Sequence, residues 1–237
     1  MEGEQRQGPF WDYLDLLLFL ASAIPAFLIG IGITKVALRL APGILPGKAA
    51  QLLTGQFIGY ALWFACLAIQ IRTRYNQRLW PAMSWKLAIR EIFPALTLGV
   101  VLALSVAVIG TLLRAPQLDN SLLELMKDRL SILVVAFFAT TLGPLFEELA
   151  FRGFLLPLLI RSVGAMSGIF ISALSFALLH GPQYHWSWQH LVLLTAVGCV
   201  FGWTRFKTGS TGLPTIMHAS YNAVFMGAFI ASKREYF

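Results

Sequence analysis

Two adjacent carboxylates, an arginine four residues further on, two histidines and an asparagine are the side chains of this sequence best placed to do chemistry. Glu147, Glu148 and Arg152 fall within Phe146-Glu147-Glu148-Leu149-Ala150-Phe151-Arg152-Gly153-Phe154, a run that otherwise reads as bilayer interior. Each such charge costs roughly 2.5 to 3.5 kcal/mol at mid-membrane on insertion scales, so an intramembrane carboxylate is read first as a functional group. From Ile92 to Ser232 the other acidic residues are Asp119, Glu124 and Asp128, all in one polar connection. On a helix Glu148 and Arg152 share a face at i and i+4, whereas Glu147 points about 100° away. Pairing lowers the cost of burying Glu148 and Arg152, and it leaves Glu147 free to take up or release a proton.

All four histidines lie downstream. His180 closes Phe176-Ala177-Leu178-Leu179-His180, and His218 opens His218-Ala219-Ser220-Tyr221-Asn222, where an imidazole and a carboxamide again project from one helix face. Glu147 is then one base candidate, with two neutral donors, His218 and Asn222, opposite it. Glu147, His180 and His218 also make a two-histidine, one-glutamate set for zinc, but Asn222 is a poor zinc ligand and no HExxH is present, so a metal-free site is preferred. Each residue alone has a plainer account: a buried histidine bonds a carbonyl, and a polar side chain such as Asn222 glues helices together. His185 and His190, beside tryptophans, read as interfacial. Cys66 and Cys199 each sit in an apolar run without CxxC spacing and read as small hydrophobes.

These groups must be held by membrane helices. With 57% hydrophobic and 12% charged residues and a mean hydropathy of +0.71, the chain has too little polar surface to cover a soluble globule. Its 237 residues allow about seven or eight spans and no separate soluble domain. The expectation is therefore all-α, a polytopic transmembrane helical bundle with a buried polar catalytic cavity. One integral membrane domain covers 1–237, with N-terminal helices over about 14–129 and a catalytic core over about 130–232. The formal charge of +7 comes from Lys and Arg between apolar runs, where they anchor helices and set topology, so it does not imply nucleic acid.

Along the chain, Glu2, Glu4, Asp12 and Asp15 against Arg6 give the wrong charge for a signal peptide, although Ala21-Ser22-Ala23 imitates a cleavage site. Spans are expected over Leu14 to Ile33, Leu52 to Ile71 and Ile92 to Leu113. The loop with Arg72, Arg74, Arg78, Lys86 and Arg90 is cytoplasmic by the positive-inside rule, and the connection from Arg114 to Arg129, with Asp119-Asn120-Ser121 as turn and helix cap, is extracytoplasmic. Leu130 to Ile160, roughly 46 Å as helix, exceeds the roughly 30 Å hydrocarbon core, so a break is expected at Gly143-Pro144. Apolar segments follow at Gly168 to Leu179, Leu191 to Phe206 and Leu213 to Ala231, with Tyr184, Trp186 and Trp188 as an interfacial belt. If the first of these is a full span, His180 and His218 fall at different depths, and tilted or re-entrant helices are required.

Glu147-Glu148-x-x-x-Arg152, then Phe176-x-x-x-His180, then His218-x-x-x-Asn222 resembles the three-motif signature of the CPBP intramembrane proteases, which include CaaX prenyl endopeptidases of the Rce1 type. The similarity covers about Leu142 to Phe229, including Thr208-Gly209-Ser210-x-x-Leu213-Pro214. It implies a helical membrane core that cuts a peptide bond, with Glu147 and His180 activating water, His218 and Asn222 stabilising the oxyanion, and Glu148 with Arg152 holding the motif in shape. It implies a membrane-associated protein or peptide as substrate, near whose C-terminus the cut is made, and a lipid bilayer as surroundings. The location is then a cell membrane in a bacterium or an endoplasmic-reticulum-type membrane in a eukaryote. The family is often labelled a metalloprotease, which keeps zinc open. A proton-coupled transporter could use the same buried residues, though the half-chains show no evident repeat. A non-catalytic immunity or scaffold protein is the remaining class.

Overall fold

The computed structural model describes residues 9–116 and 125–233, all helices and connections with no strand among them. In chain order the helices are α1 (Tyr13–Leu40), α2 (Gly47–Tyr75), the short α3 (Leu79–Ala82), α4 (Ile89–Leu112), α5 (Arg129–Thr140) and α6 (Leu142–Glu148). A π-helical segment, Leu149–Leu155, leads into α7 (Leu156–Val163), followed by α8 (Ala165–Leu179), α9 (Trp188–Thr208) and α10 (Gly212–Ser232). Among the described residues, five helical stretches are long and apolar enough to cross a membrane: α1, α2, α4, Arg129–Val163 taken as one element, and α9. The chain is an integral membrane protein. α8 has only 15 residues, and α10, at 21 residues, carries His218, Ser220 and Asn222, so neither adds to the five, against an expected seven or eight spans.

Most outer surfaces are apolar. α1 buries only Asp15, Phe19, Ala26, Gly30 and Thr34, a stripe at helical spacing, and turns Leu17, Ile24 and Leu28 outward. A helix surrounded by lipid has no reason to hide those side chains, so association depends on close packing. Gly30 of α1 lies against Gly55 and Gly59 of α2 so tightly that a Cβ would stand 2.7 Å from the Gly59 nitrogen. α1 and α2 both run past the expected ends, to Leu40 and Tyr75, because Lys35, Arg39, Arg72 and Arg74 reach the interface on long stems while the backbone stays helical. Asp119-Asn120-Ser121 lies outside the described residues, as do Glu2, Glu4 and Arg6. The α5 helix is capped by Asp128, whose carboxylate accepts from Ser131 N–H at 2.9 Å.

The long apolar stretch is broken, but at Thr141 (φ −132°, ψ −76°) rather than at Gly143-Pro144. Proline lacks an N–H for the carbonyl four residues back, that of Thr140, and its ring crowds it. The ladder therefore fails before Pro144, which sits comfortably in the first turn of α6. The π segment follows directly, with Leu156 N–H reaching back five residues to Phe151 O.

Candidate active site

Glu147 and Glu148 are the last two residues of α6, and Arg152 sits inside the π segment. Arg152 and Glu148 form the expected i, i+4 ion pair at 2.7 Å, with both side chains fully buried. Burial of a guanidinium demands further partners. Arg152 Nη2 donates to Gly198 O at 3.0 Å, and its guanidinium lies 4.9 Å from the Phe176 ring and 5.4 Å from that of Phe201. Gly198 is required here: a Cβ would stand 2.9 Å from Ala173 Cβ and 3.2 Å from Arg152. Sequence inspection passes over Gly198 and Phe201, since a glycine and a phenylalanine within an apolar run carry no polar signal.

His218 Nδ1 lies 3.0 Å from Glu148 Oε1, the oxygen that also accepts from Arg152. Glu148 therefore holds a catalytic candidate as well as the arginine. A carboxylate accepts, so the proton is on His218 Nδ1 and the other nitrogen turns toward Glu147, with Nε2 3.7 Å from Oε2. His180, the C-cap of α8, repeats the pattern: its Nδ1 donates to Phe176 O at 2.9 Å, and its Nε2 is 3.9 Å from Glu147 Oε1. Both Nε2 atoms thus face one carboxylate at separations that a single water can bridge. Exposure divides the residues further. Glu147 and His180 keep 24% and 23% of their side-chain surface open, whereas His218 keeps 6% and Glu148 none.

The difficulty over depth is resolved by length. The 15 residues of α8 rise about 22 Å, short of the roughly 30 Å core, so His180 ends a partial crossing rather than a full one. Phe176 spaces the two histidines, its ring 4.5 Å from His180 and 5.8 Å from His218.

Asn222 stands one turn beyond His218 on α10, and its Nδ2 donates to Ala139 O at 2.7 Å, just before the Thr141 break. One amide proton is thereby committed to α5 and one remains. Tyr184, read from sequence as part of an interfacial belt, is nearer the site than that: burial first, then the negative charge of Glu147, raises its phenol above the ordinary range. His190 stacks on it at 4.7 Å.

The donor types of Glu147, His180 and His218 suit zinc, but no three His, Cys, Asp or Glu side chains among the described residues stand in metal-holding geometry. Ligands of a tetrahedral zinc lie about 3.4 Å apart, a few tenths less than the separations here. Two buried atoms of the network, Glu148 Oε2 and Arg152 Nε, have no hydrogen-bond partner among the described residues.

Residues 129–224 match the family model described as type II CAAX prenyl endopeptidase, Rce1-like. All six polar positions of the three motifs fall within that match, and the matched family is one of proteases. No curated protein and no solved structure matches the chain.

Proposed function

We propose that this Rce1-like chain is an intramembrane endopeptidase that hydrolyses a peptide bond near the C-terminus of a membrane-associated protein or peptide, prenylated CaaX tails being the finer substrate class. The observation that carries the reading is the Glu147 carboxylate set between the Nε2 atoms of His180 and His218, within a membrane segment similar to such proteases.

Glu147 takes a proton from water as the oxygen attacks the scissile carbonyl, and His180 Nε2 accepts from the same water and orients it. The oxyanion is met by Asn222, through its remaining amide proton, and by His218. Because His218 Nδ1–H is committed to Glu148, His218 donates from Nε2 only as the doubly protonated ring, with Glu148 as its counter-charge. Protonated Glu147 then returns its proton to the leaving amine. By the positive-inside rule the basic end, where Arg72 and Arg78 gather, is cytoplasmic. Thr211 N–H donates to Ser84 O at 3.0 Å, so the start of α10 lies at that end too, and His218 is six residues, about 9 Å, inside it.

The second reading keeps the protease but adds zinc, which the two Nε2 lone pairs and Glu147 would hold; bound there, the ion would supply Lewis-acid activation of the carbonyl and water. The test is purified protein in nanodiscs, incubated with peptides with and without a prenylated cysteine, beside Glu147→Gln. Cleavage should fall at least about a hundredfold with little change in melting temperature. Unchanged turnover after exhaustive chelation, with no stoichiometric zinc by elemental analysis, supports the metal-free form; activity restored only by zinc replaces it with the second reading. Full activity in Glu147→Gln removes the assignment of the base.

A further inference from the structure

The chain just before α1 does something the active-site motifs do not account for. Trp11 is buried to 3% exposure although it precedes the first helix, and its indole N–H donates to Phe154 O at 3.1 Å. Phe154 is fully buried in the π segment, the stretch that contains Arg152 and follows directly on Glu147 and Glu148. The two rings stack at 5.3 Å with 20° between their planes, and Phe19 closes on Phe154 at 5.2 Å. Two more ties run from the same short segment to α7: Arg161 donates to Pro9 O at 2.7 Å, and Tyr13 OH to Ser162 Oγ at 2.7 Å. The other end is anchored on α2, because Asp15 pairs with Arg74 and accepts from Gln70 at 2.7 Å.

We infer that residues 9–15 form a strap that fixes the register of the π segment, and that Trp11 is a positioning residue for the active site. A π turn is a rare interruption of the α-helical ladder and is found mostly where function requires it. Reverting to an α-helical register would turn Arg152 relative to Gly198 O and the rings of Phe176 and Phe201, which hold its guanidinium beside Glu148. A neutral donor on Phe154 O, delivered by a rigid ring pinned at both ends, opposes that reversion. Neither Trp11 nor the anchor on α2 lies within residues 129–224, so the support comes from outside the stretch that carries the motifs.

The test pairs Trp11→Phe, which keeps a ring but deletes the N–H, with benzothienylalanine at position 11, which keeps both rings and removes only the donor. Hydrogen exchange in nanodiscs is the first readout. Amides of residues 149–158 should exchange about tenfold faster in both variants while those of α4 do not change, the size expected when one buried hydrogen bond is lost. Peptide cleavage is the second and rests on the proposed protease reading: kcat should fall about tenfold with KM unchanged. Unaltered exchange at 149–158 in the benzothienyl variant overturns the strap, even if Trp11→Phe folds poorly. Altered exchange with unaltered kcat overturns the positioning role. Wild-type protein that cleaves no peptide refutes the protease reading instead, and the exchange result still decides the strap.

Discussion

Glu148 uses a single oxygen for two partners, accepting from Arg152 at 2.7 Å and from His218 at 3.0 Å through Oε1. Removing its charge therefore has two consequences. Glu148→Gln leaves the buried Arg152 uncompensated, and breaking a buried pair typically costs about 3 to 5 kcal/mol. It also offers His218 Nδ1 a neutral acceptor in place of an anion. Thermal unfolding and cleavage should both suffer in Glu148→Gln, whereas Glu147→Gln should lose cleavage alone. Replacing Glu148 and Arg152 together by apolar residues should recover part of the stability but none of the activity, because His218 then has no partner at Nδ1. Recovery of turnover in that double variant, measured beside its melting temperature, would show that Glu148 acts only on the arginine.

Two elements carry their own tests. α4 crosses α10 at Gly99, where a Cβ would fall on Met217 O and Ser220 Oγ, the residues flanking His218. Gly99→Ala must push α10 away, so it should lower stability by about 1 to 3 kcal/mol and cut turnover by roughly tenfold or more. Gly227→Ala, on the same α10 but with open space around it, should leave turnover unchanged. The second element is α5. Hydrogen bonds from the Ser131 hydroxyl, at 2.6 Å, and from its N–H hold the Asp128 carboxyl below its usual value. A carboxyl lowered by folding stabilises fully above its unfolded pKa and loses that contribution as pH falls through the lower native one. Asp128→Ala should accordingly melt below wild type at neutral pH, and the gap should close as pH drops below about 4. A gap independent of pH would mean that the charge of Asp128 does not cap α5.

The whole bundle is needed to keep the site assembled, although every motif lies downstream of α5. The core around the π segment includes Trp11, Phe19, Phe64, Leu67 and Ile71 from the first two helices and their approach. α10 packs against α4, and its start is tied to the loop after α3 by Thr211 Oγ1 on Met83 O at 2.5 Å. A fragment of residues 129–233 should therefore show no cooperative unfolding in detergent by circular dichroism, and co-expression with residues 1–116 should restore it. A cooperative transition in the isolated fragment would show that the N-terminal helices are dispensable for folding.

Sequence alone was enough to show a helical membrane protein, because the apolar excess leaves no soluble alternative. It also marked Glu147, His180 and His218, since isolated polar groups stand out in a run where each is costly. The Glu148–Arg152 pair was legible because i, i+4 proximity is a property of one local segment, and it survived the change from α to π backbone. Tertiary structure decided the rest. That His180 and His218 reach the same carboxylate depends on α8 stopping short of a full crossing, which apolar composition does not reveal. The bond from His218 to Glu148 spans 70 residues, and Trp11 on Phe154 O spans 143. Contacts at such separations are set by how helices cross, and a pattern with a period of 3.6 residues describes one helix at a time.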